Sequence, residues 1–268
     1  GTGNLGQGLS AAVGFALAAR IRNSPAKVFC AMGDGEQQKG QLGEARRYAA
    51  KEKLTNLVGL VDWNEIQLSG DNADILPQDI AADWAADGWG VVVVDGHDFK
   101  ALFHALKGAL AADKPTVLLC RTIMSQGVPF MEKDRYKWHG AALSNEKCKK
   151  ALGILGLPDD LDHWIAERKK PAPDWHAVLP HRPEESVVLP SGGTPRTYTP
   201  DTSTDNRSAF GNALCDLGGV AHEAGIPIAV LDCDLLKSTK TDIFAAKYPA
   251  DFHQVGIAEH HTAVMNGA

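Results

Sequence analysis

Short apolar runs of strand length alternate with amphipathic stretches of helix length through most of the chain, and few folds accept that pattern. Lys27–Met32, Leu57–Trp63, Val91–Val94 and Thr116–Ile123 read as buried strands, with helices expected over about Gly40–Lys53 and Phe99–Ala111. Ahead of the first strand, Leu9, Val13, Ala16 and Leu17 recur at spacings of three and four, one face of a helix running from Leu5 to Ile21. Further helices are expected near Asn145–Leu155 and Leu161–Lys169. Strands separated by helices pair in parallel, so the expected fold is α/β: a parallel sheet with helices on both faces.

The pattern stops and restarts. Between residues 171 and 204 lie seven of the chain's 14 prolines, with little apolar periodicity, which reads as a linker. Beyond it a helix over Arg207–Ala224, a strand over Ile226–Asp232, a helix about Thr241–Ala246, a strand at Phe252–Val255 and a helix from Ala258 are expected. The organisation is therefore a first domain over 1–170, a linker over 171–204 and the start of a second α/β domain over 205–268. The first residue is Gly1 and the last expected helix is still running at Ala268, so the chain reads as a fragment of something longer.

Composition narrows the function. A net charge of −6 offers no footprint for nucleic acid, and no apolar run reaches the roughly 18 residues of a membrane span. The five cysteines, Cys30, Cys120, Cys148, Cys215 and Cys233, are odd in number and never spaced C-x-x-C. That argues against a disulfide framework or a zinc site and favours a reducing, cytoplasmic setting.

The strongest local signal is Gly33-Asp34-Gly35 at the end of one strand, with Asn64 at the end of the next. Parallel strands joined by a helical crossover end on the same edge of the sheet, where open α/β sheets bind ligands. Asp34 and Asn64 can thus converge. A carboxylate and an amide carbonyl are hard oxygen donors suited to Mg²⁺, which fills its shell with phosphate oxygens, water and backbone carbonyls. Gly35 would let a diphosphate approach the backbone, and the following helix would aim free N–H groups at it. The glycine spacing does not fit G-x-G-x-x-G, and G-K-[ST] is absent, so dinucleotide and P-loop binding are disfavoured.

Gly33-Asp34-Gly35 through Asp62-Trp63-Asn64 resembles the thiamine diphosphate motif. Thr2-Gly3-Asn4-Leu5-Gly6-Gln7-Gly8, His139-Gly140-Ala141-Ala142-Leu143 and Val255-Gly256-Ile257-Ala258-Glu259-His260 resemble transketolase segments in the same order. The resemblance implies a thiamine diphosphate-binding fold, with residues 1–170 holding the diphosphate and residues 205–268 beginning the pyrimidine-binding domain. It implies thiamine diphosphate with Mg²⁺, or Ca²⁺ or Mn²⁺, as cofactors. The implied activity moves a two-carbon ketol unit from a ketose phosphate to an aldose phosphate, as in the pentose phosphate pathway. It also implies a homodimer with active sites between subunits. 1-Deoxyxylulose-5-phosphate synthase, dihydroxyacetone synthase and a non-catalytic homologue are the alternatives; Leu5-Gly6-Gln7-Gly8 disfavours the first.

By the same resemblance, Asp34, Asn64 and the carbonyl of Ile66 would hold the metal, while Gly3, Asn4, Leu5 and Gly35 would line the cofactor. His139 would touch the diphosphate and face the substrate. Glu259 would hydrogen-bond N1′ of the aminopyrimidine and so promote loss of the thiazolium C2 proton. Arg207 and Ser238 would grip the sugar phosphate, and Asp234 would lie near the thiazolium. Two positions depart from the pattern: Lys39 replaces a glutamate that links the two sites of the dimer, and Asn4 replaces a proline. Further histidines and a stacking aromatic are implied outside the chain, so residues 1–268 alone are expected to be inactive.

Overall fold

In a computed structural model, which describes residues 3–171, 193–194, 196–202 and 204–268, four parallel strands form the central sheet. These are β1 (Val28–Gly33), β2 (Leu57–Trp63), β5 (Gly90–Asp95) and β6 (Thr116–Arg121), in the order β1-β2-β6-β5. Between β2 and β5 the chain makes a small antiparallel hairpin, β3 (Ile66–Gln67) and β4 (Gly70–Asp71).

Helices cover both faces. On one, α1 (Gln7–Ile21) and α2 (Gly40–Lys51) bury Leu9, Val13, Leu17, Leu42 and Tyr48 against the β1 and β2 side chains. On the other, the helix Phe99–Leu110 sets Ala109, with Leu102 and Leu106, against Val58, Leu118 and Cys120. The alternation along β2 thus feeds two cores, as a strand buried on both faces requires. The α/β expectation holds.

The differences are local. α1 begins at Gln7 rather than Leu5 because Gly6 takes the left-handed backbone (φ 91°), which ends helical geometry there. The strand expected from Ile226 forms only over β7 (Val230–Asp232), since Pro227 has no N–H to give a ladder. The hairpin Ile66–Asp71 and the helix Ile80–Ala86, capped by Asp79 accepting from the Ala82 N–H at 3.0 Å, are additional elements. The proline-rich linker lies largely outside the described residues. No described helix is long and apolar enough to cross a membrane.

After it, the helix Asn206–Glu223 packs on the helix Asp242–Lys247, and β7 pairs in parallel with β8 (Phe252–Gln254). The last helix, Glu259–Met265, lies on α1 and α2. Gly14 makes this fit possible: a Cβ there would stand 2.6 Å from the Met265 carbonyl oxygen. His261 is fully buried in this seam beside the Tyr48 ring (5.4 Å between centroids), and neither its ring nitrogens nor the Tyr48 hydroxyl has a hydrogen-bond partner among the described residues.

Candidate active site

The register Gly33↔Asp62 brings the ends of β1 and β2 level, and the backbone runs on from there into the site. Asp34, only 3% exposed, accepts from the Gly35 N–H at 2.7 Å and from the Glu65 N–H at 2.5 Å. The residue after Asn64 is therefore pinned to Asp34, which brings the turn carrying Asn64 beside that carboxylate. Asn64 is itself oriented: its Oδ1 accepts from the Ile66 N–H at 3.0 Å, and its Nδ2 donates to Asp62 at 3.4 Å. Asp62 also accepts from the Thr122 hydroxyl at the end of β6.

Burial pushes the Asp34 carboxyl above the usual carboxylate range. The N–H groups of Glu65 and Gly35 and the Asn72 amide pull the other way, and the neighbouring Asp62 charge raises it further. A buried carboxyl raised in this way is one that a cation would relieve. Beside it the Asn72 Oδ1 is buried and has no partner among the described residues, a second oxygen that a cation could satisfy. No described group of three His, Cys, Asp or Glu side chains is placed to hold a metal, so a metal here would draw on amide and carbonyl oxygens around Asp34. The space a Gly35 Cβ would fill is taken by Gln67, whose Cγ would be 3.1 Å away. These residues fit a divalent metal and the diphosphate it would anchor.

A residue that the sequence reading missed ties the remaining loop to this edge. Glu36, nearly buried, accepts from the Gly6 N–H at 2.6 Å and from the Gly33 N–H at 3.3 Å. One carboxylate thus holds the loop carrying Gly3, Asn4 and Leu5 against Gly33-Asp34-Gly35. The Lys39 stem lies over the same loop, 3.1 Å from where a Gly6 Cβ would be. The only sequence signal for Glu36 was its place directly after the glycine motif.

The other expected residues are more open. His139 is exposed; its segment leans on the β3–β4 hairpin, where Arg135 pairs with Asp71 at 2.8 Å. Arg207 and Ser238 are both exposed and share one end of the second region. Gly211, one turn after Arg207, lies so close to the turn after Ser238 that a Cβ would be 2.4 Å from the Lys240 carbonyl oxygen. Glu259 is exposed at the start of its helix. The structure gives no hydrogen bond between Glu259 and Asp34, and the two lie on different elements.

The strand ends of the parallel sheet thus gather a buried, glycine-flanked carboxylate beside the turn that carries Asn64. Residues 1–168 match the family model described as the transketolase, thiamine diphosphate binding domain. The chain belongs to the transketolase family and carries its thiamine diphosphate-binding domain. It is 33% identical to transketolase-like protein 2 of Mus musculus and 32% identical to transketolase of Homo sapiens, each over 97% of this chain and 40% of the relative. The chain thus spans less than half the length of these relatives. Its fold matches the crystal structure of transketolase from Campylobacter jejuni with a TM-score of 0.73 at 24% identity, covering 99% of this chain and 45% of that one.

Proposed function

We propose that this chain works within a magnesium- and thiamine diphosphate-dependent transketolase that moves a two-carbon ketol unit from a ketose phosphate to an aldose phosphate. The observation that carries the reading is the buried Asp34 carboxyl, tied to the residue after Asn64 and accepting from the Gly35 N–H. Asp34, Asn64 and the Ile66 carbonyl would hold the metal, while the backbone of Gly3, Asn4, Leu5 and Gly35 would line the diphosphate. When bound, thiamine diphosphate supplies a thiazolium able to take up the electron pair released as the donor's carbon–carbon bond breaks.

The chain's own residues then divide the remaining work. Glu259 would orient the aminopyrimidine and hold a proton at its N1′. His139 would face the diphosphate and the sugar, and the Arg207 guanidinium with the Ser238 hydroxyl would fix the sugar's phosphate. Glu259 stands open to solvent here, and the apolar Leu5, Phe15 and Ile257 are also exposed. This supports a homodimer in which a second subunit covers these surfaces and dries the site. A cytoplasmic location and a pentose phosphate role complete the proposal.

Lys39 favours a second reading, a homologue with altered or lost turnover, because it sets a cation where the family places a glutamate. One assay separates the two. In the full-length enzyme with thiamine diphosphate and Mg²⁺, ketol transfer should be measurable, and Glu259→Gln should slow it by about 10²–10⁴-fold while leaving cofactor binding intact. Absent transfer from a cofactor-loaded wild type, or a Glu259→Gln variant at full rate, would overturn the catalytic reading.

A further inference from the structure

The loops that follow β7 and β8 carry Ser238 and Glu259, and one amide side chain stands between them. Gln254 ends β8. Its Oε1 accepts from the Asp234 N–H at 2.7 Å and from the Gly256 N–H at 3.0 Å, while its Nε2 donates to Asp232 at 2.9 Å. Asp234 and Gly256 both have left-handed backbone (φ 64° and 83°), so each loop turns sharply at the residue whose N–H the glutamine holds.

Asp232, 5% exposed, completes the junction. It also accepts from the Leu235 N–H at 2.8 Å, the Thr241 hydroxyl at 2.9 Å and the Thr239 hydroxyl at 3.2 Å, which fixes the turn bearing Ser238 from both sides. Burial pushes its carboxyl up, but the hydrogen bonds from Gln254, Leu235, Thr241 and Thr239 outweigh that and hold it below the usual carboxylate range. From the first domain, the Lys51 ammonium donates to the Gln254 carbonyl oxygen and anchors the backbone of the same residue.

We propose that Gln254 is a positioning residue that couples the loop gripping the sugar phosphate through Ser238 to the loop presenting Glu259, so that the two adopt their working geometry together. The coupling follows from the hydrogen-bond arithmetic. Each loop's turning N–H spends its bond on the same oxygen, and the other end of that amide is held by the carboxylate that organises the Ser238 turn. Movement of either loop removes an acceptor's partner and loosens the amide for the other. An apolar side chain of similar length at this position would leave both N–H groups without that acceptor and Asp232 without one donor. The assignment of Ser238 and Glu259 to substrate and cofactor rests on the proposed function; the coupling of the two loops does not.

Amide hydrogen exchange tests the coupling directly. In the wild type, the Asp234 and Gly256 amides should open with one shared free energy across a denaturant series, below that of Val230 and Val255, whose N–H groups bond to the backbone oxygens of Asp251 and Asp232. In the assembled enzyme, Gln254→Met should speed exchange at Asp234 and Gly256 together by at least about tenfold while Val230 and Val255 keep their protection. The same variant should raise KM for the ketose phosphate about tenfold and also lower kcat, a split that general loss of stability would not produce. Different opening free energies for the two amides in the wild type, acceleration at one alone, or an unchanged KM would overturn the proposal. Concerted exchange in an enzyme that transfers no ketol unit would overturn the proposed function and leave the loop coupling standing.

Discussion

Acidification from pH 6.5 to pH 4 is expected to remove about 3 kcal/mol of stability through one side chain, His261. Burial without a partner pushes its imidazole from 6.5 down to about 4. Between those values the unfolded chain takes up a proton that the folded chain refuses, so the contribution is fully present above pH 6.5 and is lost as pH falls toward 4. The seam between the last helix and α1 and α2 should be first to open, because protonation would place a buried imidazolium with no ring hydrogen-bond partner among the described residues beside Tyr48. Denaturant midpoints of wild type and His261→Leu, measured from pH 7 to pH 4, check this. The wild type should lose stability more steeply over that range. Parallel slopes would show that His261 does not titrate as its burial requires.

Glu36→Gln should cost about 2–3 kcal/mol, because one of its two carboxylate oxygens becomes an NH₂ group facing a backbone N–H. Both contacts lie at the cofactor edge: the Gly6 N–H on one loop and the Gly33 N–H at the end of β1. The unfolding midpoint should therefore fall by about 5–10 °C. Proteolysis should reach the Gly3–Leu5 loop sooner than the β2 or β6 core. A variant with an unchanged midpoint and an intact loop would show that the carboxylate does not hold these two segments together.

What could be read from the residues in advance was what repeats or obeys topology. The short apolar runs and the helical periodicity located β1, β2, β5 and β6 and the helices between them, because burial on two faces writes itself into the sequence. The meeting of Asp34 with the Asn64 turn followed from parallel crossovers, which bring strand ends to one edge. Irregular chain was harder to read. The β3–β4 hairpin is two residues per strand, too short for any period to register. The helix Ile80–Ala86 did carry a readable signal in its Asp79 cap and the buried pair Ile80 and Trp84.

Glu36 and Gln254 were illegible for a different reason. Each works by accepting from the backbone N–H groups of distant or sharply turned residues, and backbone donors leave no mark in a sequence. Arg207 and Ser238 illustrate the converse: the resemblance assigned them a common role, and their shared end of the fold rests on Gly211, whose missing Cβ admits the Lys240 carbonyl.

The proposed function requires the Asp34–Asn64 edge to hold a diphosphate through a divalent metal. Calorimetric titration of the full-length protein with thiamine diphosphate, with and without Mg²⁺, in wild type and Asp34→Ala, tests it most directly. Saturable binding that depends on Mg²⁺ and weakens by at least about 100-fold in Asp34→Ala is the predicted result. Binding that ignores Mg²⁺, or that survives Asp34→Ala unchanged, would contradict it.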